Sequence, residues 1–318
     1  MTLDAVAAQL ETTLPGRIER DASAAALTTY RLGGPIAVLA RVATVGELLA
    51  VAAALEHAAV MPPMLVVGRG SNLLVADAGF PGLVVMLDGE FADIEILDDA
   101  VHAGSAVSLP VLARRVAAAG RTGLEFYVGI PGSVGGAVRM NAGGHGKETS
   151  NVLLRAGIVD LAAGGAATCI ERTPAELDYR YRHSNVASTS VVTHAVFATQ
   201  TDAPEACAAR LDEIVRWRRE NQPGGANAGS VFQNPPEDSA GRLIEAAGAK
   251  GLRIGGAVVS EKHANFIQAE AGATAQDVRD LVTAVRSRVR DASGIDLHTE
   301  IRFIGFADGD DGAWGGEQ

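Results

Sequence analysis

Two glycine-rich runs and one serine-bearing turn carry the residue types whose spacing bears on chemistry. The runs are "GRGSNLLVADAGFPG", from Gly68, and "GIPGSVGGAVRMNAGG", from Gly129. Glycine tolerates positive φ and lets consecutive amide N–H groups converge on an anion without side-chain obstruction. Taken alone, each loop is equally consistent with phosphate binding and with a tight structural turn. Neither is a common nucleotide fingerprint. Gly68-Arg69-Gly70-Ser71-Asn72 lacks the third glycine of the Rossmann pattern, and no stretch ends in the Gly-Lys-Ser/Thr of a P-loop. The third stretch, "NAGSVFQNP", sets Ser230 among small polar residues. A serine there is first of all a turn residue, because Gly, Asn and Ser favour turns through local hydrogen bonding.

The elements that position these stretches follow from periodicity. "ATVGELLAVAAALEHA" carries Thr44 followed three residues later by Glu47, a capping-box pattern, and then a helical apolar face. "PMLVVG" and "GLVVML" read as short buried strands. "SLPVLARRVAAAG" predicts a helix with Ser108 at its N-cap, Pro110 in the first turn and Gly120 as its stop. "LLRAGIVDL" and "SVVTHAVFATQ" predict strands, and "EACAARLDEIVRWRRE" a helix with Cys207, Leu211, Ile214 and Val215 on one face. Further on, "SAGRLIEAAG" predicts a short helix, "HANFIQA" a strand, and "TAQDVRDLVTAVRSRVRDASG" a helix with Val278, Leu281, Val282, Val285 and Val289 on one stripe. "EIRFIGF" closes the pattern as a strand. A boundary near residue 202 divides the chain into 1–202 and 203–306, and the Gly- and Asp-rich 307–318 is expected to be a disordered tail.

Composition narrows the function classes. The chain has 318 residues, 47% of them hydrophobic, which suits a soluble protein of two domains. No uninterrupted apolar run reaches the roughly 18 residues of a membrane span. The N-terminus has neither a basic start nor a continuous apolar segment, which argues against a secretory signal. A net charge of -11 opposes general nucleic-acid binding and means that an anionic ligand needs its own Arg or Lys. Cys169 and Cys207 stand far apart and fit a reducing cytoplasm. His145, His183, His263 and His298 lack metal-ligand spacing, so no metal site is expected. No obligate protein partner is evident, and oligomeric state is not legible.

Taken in order, seven segments are more specific than any one of them. "LTTYRLGGPI", "VVGRGSNLLVADAGFPGLVV", "GLEFYVGIPGSVGGAVRMNAGGHGKE", "YRHS", "NAGSVFQNP", "LIEAAGAKGLRIGGAVVSEKHANFI" and "EIRFIG" together resemble the UDP-N-acetylenolpyruvoylglucosamine reductase family across nearly all of residues 28–306. The resemblance implies an α+β fold: a vanillyl-alcohol-oxidase-type FAD-binding domain followed by a smaller α/β substrate-binding domain. It implies non-covalent FAD, NADPH as reductant, and UDP-N-acetylglucosamine enolpyruvate as the substrate, reduced to UDP-N-acetylmuramate for peptidoglycan synthesis.

Residue by residue, the resemblance places Gly68, Arg69, Gly70, Ser71 and Asn72 on the pyrophosphate. Gly129, Ile130, Pro131, Gly132, Ser133, Gly135, Gly136, Ala137 and Asn141 line the flavin side. Hydride addition to the vinylic carbon leaves negative charge spreading into the substrate carboxylate, which needs cations and donors placed in advance. Arg182 matches the arginine that binds that carboxylate, since a guanidinium stays charged and grips bidentately. Arg180 offers a second Tyr-Arg pair, but only Tyr181-Arg182 is followed by the spaced serine. Ser230 matches the proton donor to the adjacent carbon. Glu300 matches the catalytic glutamate, which would need an upward pKa shift to donate a hydrogen bond. Tyr181, Asn234, Lys250, Lys262 and His263 match or adjoin substrate-facing segments.

Two departures accompany the match. The short interval from Arg182 to Ser230 resembles the family's shorter branch, without a longer loop carrying a substrate-covering tyrosine. Gln233 stands where many relatives have Lys. A flavin oxidase of the same broad fold and a non-catalytic flavin or UDP-sugar binder are alternatives, against which stand the C-terminal match and the retention of Ser230, Arg182 and Glu300.

Overall fold

A computed structural model describes residues 2–307, so the tail expected over 307–318 lies, except for its first residue, outside the described residues. Two compact units divide the chain. One takes in the residues up to Asp21, Val38–Arg69 and Gly82–Arg218; the other takes in Ala22–Ala37, Gly70–Pro81 and the chain from Arg219 onward.

In the first unit, α1 (Leu3–Thr13) and α2 (Val45–Glu56) precede the strands of the cofactor loops. The expected Thr44–Glu47 signal is present at α2: the Thr44 hydroxyl accepts the Glu47 N–H at 3.1 Å. The Glu47 carboxylate accepts from the Ala43 N–H, one residue before the cap, at 2.7 Å. Strands Ile18–Ser23, Pro35–Val42, Phe80–Leu87 and Met64–Val66 form one sheet in that order. A five-stranded antiparallel sheet runs Cys169–Arg172, Leu153–Asp160, Ser190–Ala198, Ala100–Gly104, Ile94–Ile96.

Val101, Ala156, Ala195 and Phe197 of that sheet join Leu112 and Val116 of α3 (Leu109–Ala118) and Val134 and Val138 of α4 (Val134–Met140) in one core. α3 begins after Ser108 with Pro110 in its first turn, and Gly120 follows its end at φ 66°. The Ser108 side chain makes no cap bond. α5 (Pro204–Asn221) buries Cys207 and Leu211 in the same core, while Ile214 and Val215 are half-buried against it.

The second unit is built on α7 (Ala275–Ser293). Thr274 and Asp277 form a reciprocal capping box at its start, and Gly294 ends it in the left-handed region at φ 75°. Its stripe of Val278, Leu281, Val282, Val285 and Val289 is 0–3% exposed, worth about 1.5–3 kcal/mol per side chain in transfer free energy. The stripe packs with Leu243 and Ile244 of α6 (Ala240–Ala246) and with Val259 and Ile267 of the antiparallel sheet Arg253–Ile254, Ala257–Val259, Ile267–Ala269. Strand Arg302–Ile304 pairs in parallel with Leu73–Val75. The Asp77 carboxylate accepts the Ala275 and Gln276 N–H groups at 2.9 and 3.0 Å, supplying charge where the α7 dipole favours it.

Two strands are shorter than their sequence pattern predicts. Residues 263–266 of "HANFIQA" form a turn, because the Phe266 N–H donates to the His263 carbonyl at 3.0 Å and its own carbonyl accepts from Ser260 at 2.8 Å. Only Ile267–Ala269 remains extended. In "EIRFIGF" the Glu300 and Ile301 N–H groups turn to the Val231 carbonyl at 2.8 and 3.5 Å, leaving Arg302–Ile304 as the strand.

Candidate functional site

Within the first unit, a cleft of about 160 Å³ is lined by Gly68, Arg69, Ser105, Ser133, Gly135, Gly136 and Arg139, with Val66 and Val192 among its apolar walls. Ser133 is 3% exposed and caps α4, accepting the Gly136 N–H at 3.3 Å. The short helix and its cap let the chain turn closely under the cleft. Gly68 is required by that approach, since a Cβ there would lie 2.2 Å from Ser133 Oγ. Gly135 donates to the Ser105 carbonyl at 2.9 Å, and a Cβ on it would stand 3.0 Å from Ser105 Cβ.

Ser105 Oγ is buried with no hydrogen-bond partner among the described residues, and its residue lines the cleft. A buried hydroxyl in that condition calls for a polar partner. Two guanidinium-bearing residues, glycines without side-chain obstruction and this hydroxyl together fit the phosphate and polar edges of FAD.

The structure places the expected cofactor residues unevenly. Gly68, Arg69, Ser133, Gly135 and Gly136 line the cleft. Gly129, Ile130, Pro131 and Gly132 form the approach to α4; the Gly129 carbonyl accepts from Arg218 Nη1, and that of Gly132 from the Leu109 N–H at 3.0 Å. Ala137 is buried in the core. Asn141 is 1% exposed, in the left-handed region at φ 43°, and its amide bonds Glu148, the Arg180 carbonyl and the Ser150 N–H at 2.9–3.0 Å. Its side chain therefore braces neighbouring protein groups.

Gly70, Ser71 and Asn72 belong to the second unit. There Gly70 has φ 58°, and a Cβ on it would meet the Leu27 carbonyl at 2.0 Å. Ser105, Arg139 and Ser190 are cleft residues that the sequence analysis does not single out. Ser105 follows the strand "AVHAG" with no spacing that distinguishes it from any other loop serine.

Arg182 also lies in the first unit, at φ 55° in a tight hairpin closed by reciprocal Arg180 and His183 backbone bonds of 3.1 Å. Its side chain is 16% exposed, with Nη1 3.5 Å from Glu148 Oε1 and Nη2 donating to the Gly143 carbonyl at 3.2 Å. The guanidinium carbon stands 4.7 Å from the centre of the Tyr181 ring. Arg180 differs: its side chain is 70% exposed and pairs with Asp178 at 3.0 Å. Ser184, the spaced serine of the motif, is fully buried and donates to the Arg139 carbonyl at 2.6 Å, tying the hairpin to the end of α4.

In the second unit, Ser230 and Glu300 are held on one backbone frame. Gly229, at φ 76°, donates to Asn227 Oδ1 at 3.0 Å and turns the chain into Ser230. The next residue, Val231, accepts the Glu300 N–H at 2.8 Å. Asn72 donates to the Glu300 carbonyl at 3.1 Å, so Glu300 is fixed from both sides of its peptide. Ser230 is half-buried between buried Ala228 and buried Val231.

The remaining expected substrate residues lie in this unit too. Asn234 accepts the Ala240 N–H at 3.0 Å, at the start of α6. Lys250 pairs with Glu245 at 2.8 Å, and Lys262 Nζ donates to the Arg219 carbonyl. Burial pushes the His263 imidazole below its ordinary pKa, with Lys250 adding to the effect against its own backbone bond, and Nδ1 accepts the Asn265 N–H at 3.3 Å. Among the described residues no group of three His, Cys, Asp or Glu is placed to hold a metal ion.

Comparison with known proteins bears on both units. A family profile described as "UDP-N-acetylenolpyruvoylglucosamine reductase, C-terminal domain" matches residues 221–304, and one described as "FAD binding domain" matches residues 36–169. The chain is 44% identical over 292 residues to the UDP-N-acetylenolpyruvoylglucosamine reductase of Paramagnetospirillum magneticum, covering 92% of this chain and 93% of that protein. It is 41% identical over 311 residues to the enzyme of that name from Nitrobacter winogradskyi, covering 96% and 100%.

The crystal structure of UDP-N-acetylenolpyruvylglucosamine reductase from Thermus caldophilus is similar at a TM-score of 0.78 and 36% identity, over 91% of this chain and 99% of that one. An FAD-binding α+β domain followed by this C-terminal domain, with that similarity over almost the whole length, makes the chain a member of the UDP-N-acetylenolpyruvoylglucosamine reductase family of FAD-dependent oxidoreductases.

Proposed function

We propose that this chain reduces the enolpyruvyl ether of UDP-N-acetylglucosamine enolpyruvate to the D-lactyl ether of UDP-N-acetylmuramate, a cytoplasmic step of peptidoglycan precursor synthesis, with NADPH as reductant. The observation that carries the reading, beside family membership, is the Glu300 N–H to Val231 carbonyl bond, which joins the peptide of Glu300 to the residue that follows the serine expected to donate the proton. Residues 1–202 form the FAD-binding domain, which also contributes Tyr181 and Arg182 to the substrate, and 203–306 the substrate-binding domain. Bound FAD would supply the hydride-transfer chemistry between NADPH and the vinylic carbon.

The chain's own groups do the rest. Gly68, Arg69, Gly70, Ser71 and Asn72 hold the pyrophosphate. Gly129 to Gly132 and Ser133 to Ala137 shape the flavin side. Arg182 takes the substrate carboxylate. Its contact with Glu148, at 3.5 Å, is long for a charge-assisted bond, so a well-placed carboxylate competes for the guanidinium. As negative charge develops on the carbon next to that carboxylate, a fixed guanidinium stabilises it without reorganisation. Ser230 gives its hydroxyl proton to that carbon from one face, which fixes the new stereocentre. Glu300, on the neighbouring peptide, acts as a hydrogen-bond donor to the growing charge when protonated. Tyr181, Asn234, Lys250, Lys262 and His263 contact the rest of the sugar nucleotide.

Incubation of the purified yellow protein with NADPH and the enolpyruvyl sugar tests the reading. UDP-N-acetylmuramate should form in step with NADPH consumption. Flavin that is reduced by NADPH but reoxidised only by oxygen, with no muramate formed, contradicts it.

A further inference from the structure

Asn265 is 3% exposed and lies in the turn that interrupts the predicted strand after Ser260. The turn is internally braced: Ser260 Oγ accepts the Lys262 and His263 N–H groups at 3.1 and 3.4 Å, and Ser260 donates to the Phe266 carbonyl at 2.8 Å. From this support Asn265 makes three bonds to the two residues that follow Ser230. Its backbone carbonyl accepts the Val231 N–H at 2.8 Å. Its Oδ1 accepts the Phe232 N–H at 2.9 Å, and its Nδ2 donates to the Phe232 carbonyl at 2.8 Å. Since an N–H can only donate and a carbonyl only accept, the amide orientation is set by its partners.

The side chain thus acts as a one-residue strand partner in a place where no strand runs. It satisfies both backbone polar groups of Phe232, while the Asn265 backbone carbonyl accepts the Val231 N–H and the Glu300 N–H donates to the Val231 carbonyl. Both residues are essentially buried, so each of these groups needs its partner. Ser230 is left between the left-handed Gly229 and this pinned pair, with little freedom to rotate its peptide.

We propose that Asn265 is a positioning residue for Ser230: its side-chain amide fixes the Phe232 backbone, beside the Val231 N–H held by its main-chain carbonyl, and so aims the proton-donating hydroxyl. The inference rests on the reading of Ser230 as donor. Asn is the residue that fits, because Asp would set a carboxylate oxygen against the Phe232 carbonyl, and Ala or Leu would leave that carbonyl and the Phe232 N–H without partners. A donor displaced by about 1 Å slows its step on the order of 100-fold.

The test compares Asn265→Ala, Asn265→Leu, Ser230→Ala and Asn265→Leu/Ser230→Ala holoenzymes by anaerobic stopped-flow. FAD binding and flavin reduction by NADPH should stay within about twofold of wild type in the Asn265 variants, while reoxidation by the enolpyruvyl sugar slows by about 100-fold. The double variant should be no slower than Ser230→Ala, because the two residues act on one step. Normal reoxidation in the Asn265 variants, with Ser230→Ala slow, overturns the positioning role and leaves the donor in place. Additive losses in the double variant overturn it as well. Normal reoxidation in Ser230→Ala removes the donor reading, and the proposal with it. Wild-type enzyme supplies a check that needs no variant to fold: the Val231 and Phe232 amides should resist hydrogen exchange as strongly as the α7 core, and exchange at a loop rate contradicts the clamp.

Discussion

The N–H of Glu300 donates to the carbonyl of Val231 at 2.8 Å, so a residue at the end of the chain and the residue after Ser230 share one peptide-to-peptide bond. The bond shortens the final strand to Arg302–Ile304 and brings a carboxyl-bearing residue to the serine loop. A substitution at Glu300 therefore has two separable parts. Glu300→Gln keeps the backbone bond and should retain thermal stability while lowering the rate of flavin reoxidation by substrate. Melting temperature alongside single-turnover kinetics separates them; a rate equal to wild type removes Glu300 from the chemistry.

Gly68 faces Ser133 so closely that a Cβ would come within 2.2 Å of its hydroxyl oxygen. Gly68→Ala should weaken FAD retention and destabilise the first unit by about 1–3 kcal/mol, the usual range for overpacking. Adding Ser133→Ala removes the oxygen that clashes, and should recover part of the FAD affinity despite the lost α4 cap. Equilibrium dialysis of FAD measures both. An unaffected Gly68→Ala protein contradicts the close approach.

The two arginines of "YRYR" are predicted to differ sharply. Arg182 is mostly buried, whereas Arg180 is 70% exposed in a surface pair with Asp178. Arg182→Lys keeps the charge but loses the bidentate fork, and should raise KM for the enolpyruvyl sugar by about 10–100-fold, the loss of one or two charge-assisted bonds. Arg180→Ala should change it by less than about twofold, as a surface ion pair is worth little. Steady-state kinetics with both variants decides between them, and equal effects would count against Arg182 as the carboxylate ligand.

Acid should unfold the first unit in part through Glu125. Burial pushes its carboxyl up, but hydrogen bonds from the Thr122 hydroxyl, the backbone and Arg210 outweigh burial and hold it below the ordinary carboxylate range. A depressed folded-state pKa contributes stability that is complete above the unfolded value of about 4.3 and is lost as pH falls through the folded value. Glu125→Gln should cost about 1–3 kcal/mol at pH 7, and its deficit should shrink as pH drops below about 4. Urea melts at several pH values test this; a deficit independent of pH contradicts it.

Much of this was legible from short-range patterns. Thr44 with Glu47, the short helix of "SAGRLIEAAG" and the α7 stripe all appear where periodicity and capping put them, because those signals are local and were not overridden. α1 and α4 were not read from the sequence. In α4 the glycines of "SVGGAVRMN" mask a seven-residue helix marked by Ser133 at one end and left-handed Asn141 at the other.

"HANFIQA" has strand-like composition, yet its first half is a turn, since Asn265 and Ser260 offer side-chain partners that compete with a ladder. The motif match is what singles out Ser230, Arg182 and Glu300 for their proposed roles. Ser105 and Asn265 escaped it because their significance is burial and hydrogen-bond geometry, which a lone Ser or Asn in a string of letters does not reveal.

Ser230 is proposed to deliver the proton to the substrate carbon. The most direct measurement is anaerobic stopped-flow of Ser230→Ala: reduce the flavin with NADPH, then mix with the enolpyruvyl sugar and follow recovery of the oxidised spectrum. Reduction should be normal and reoxidation slowed by about 100-fold or more, the usual contribution of a positioned acid. Reoxidation at the wild-type rate, with UDP-N-acetylmuramate as product, would contradict it.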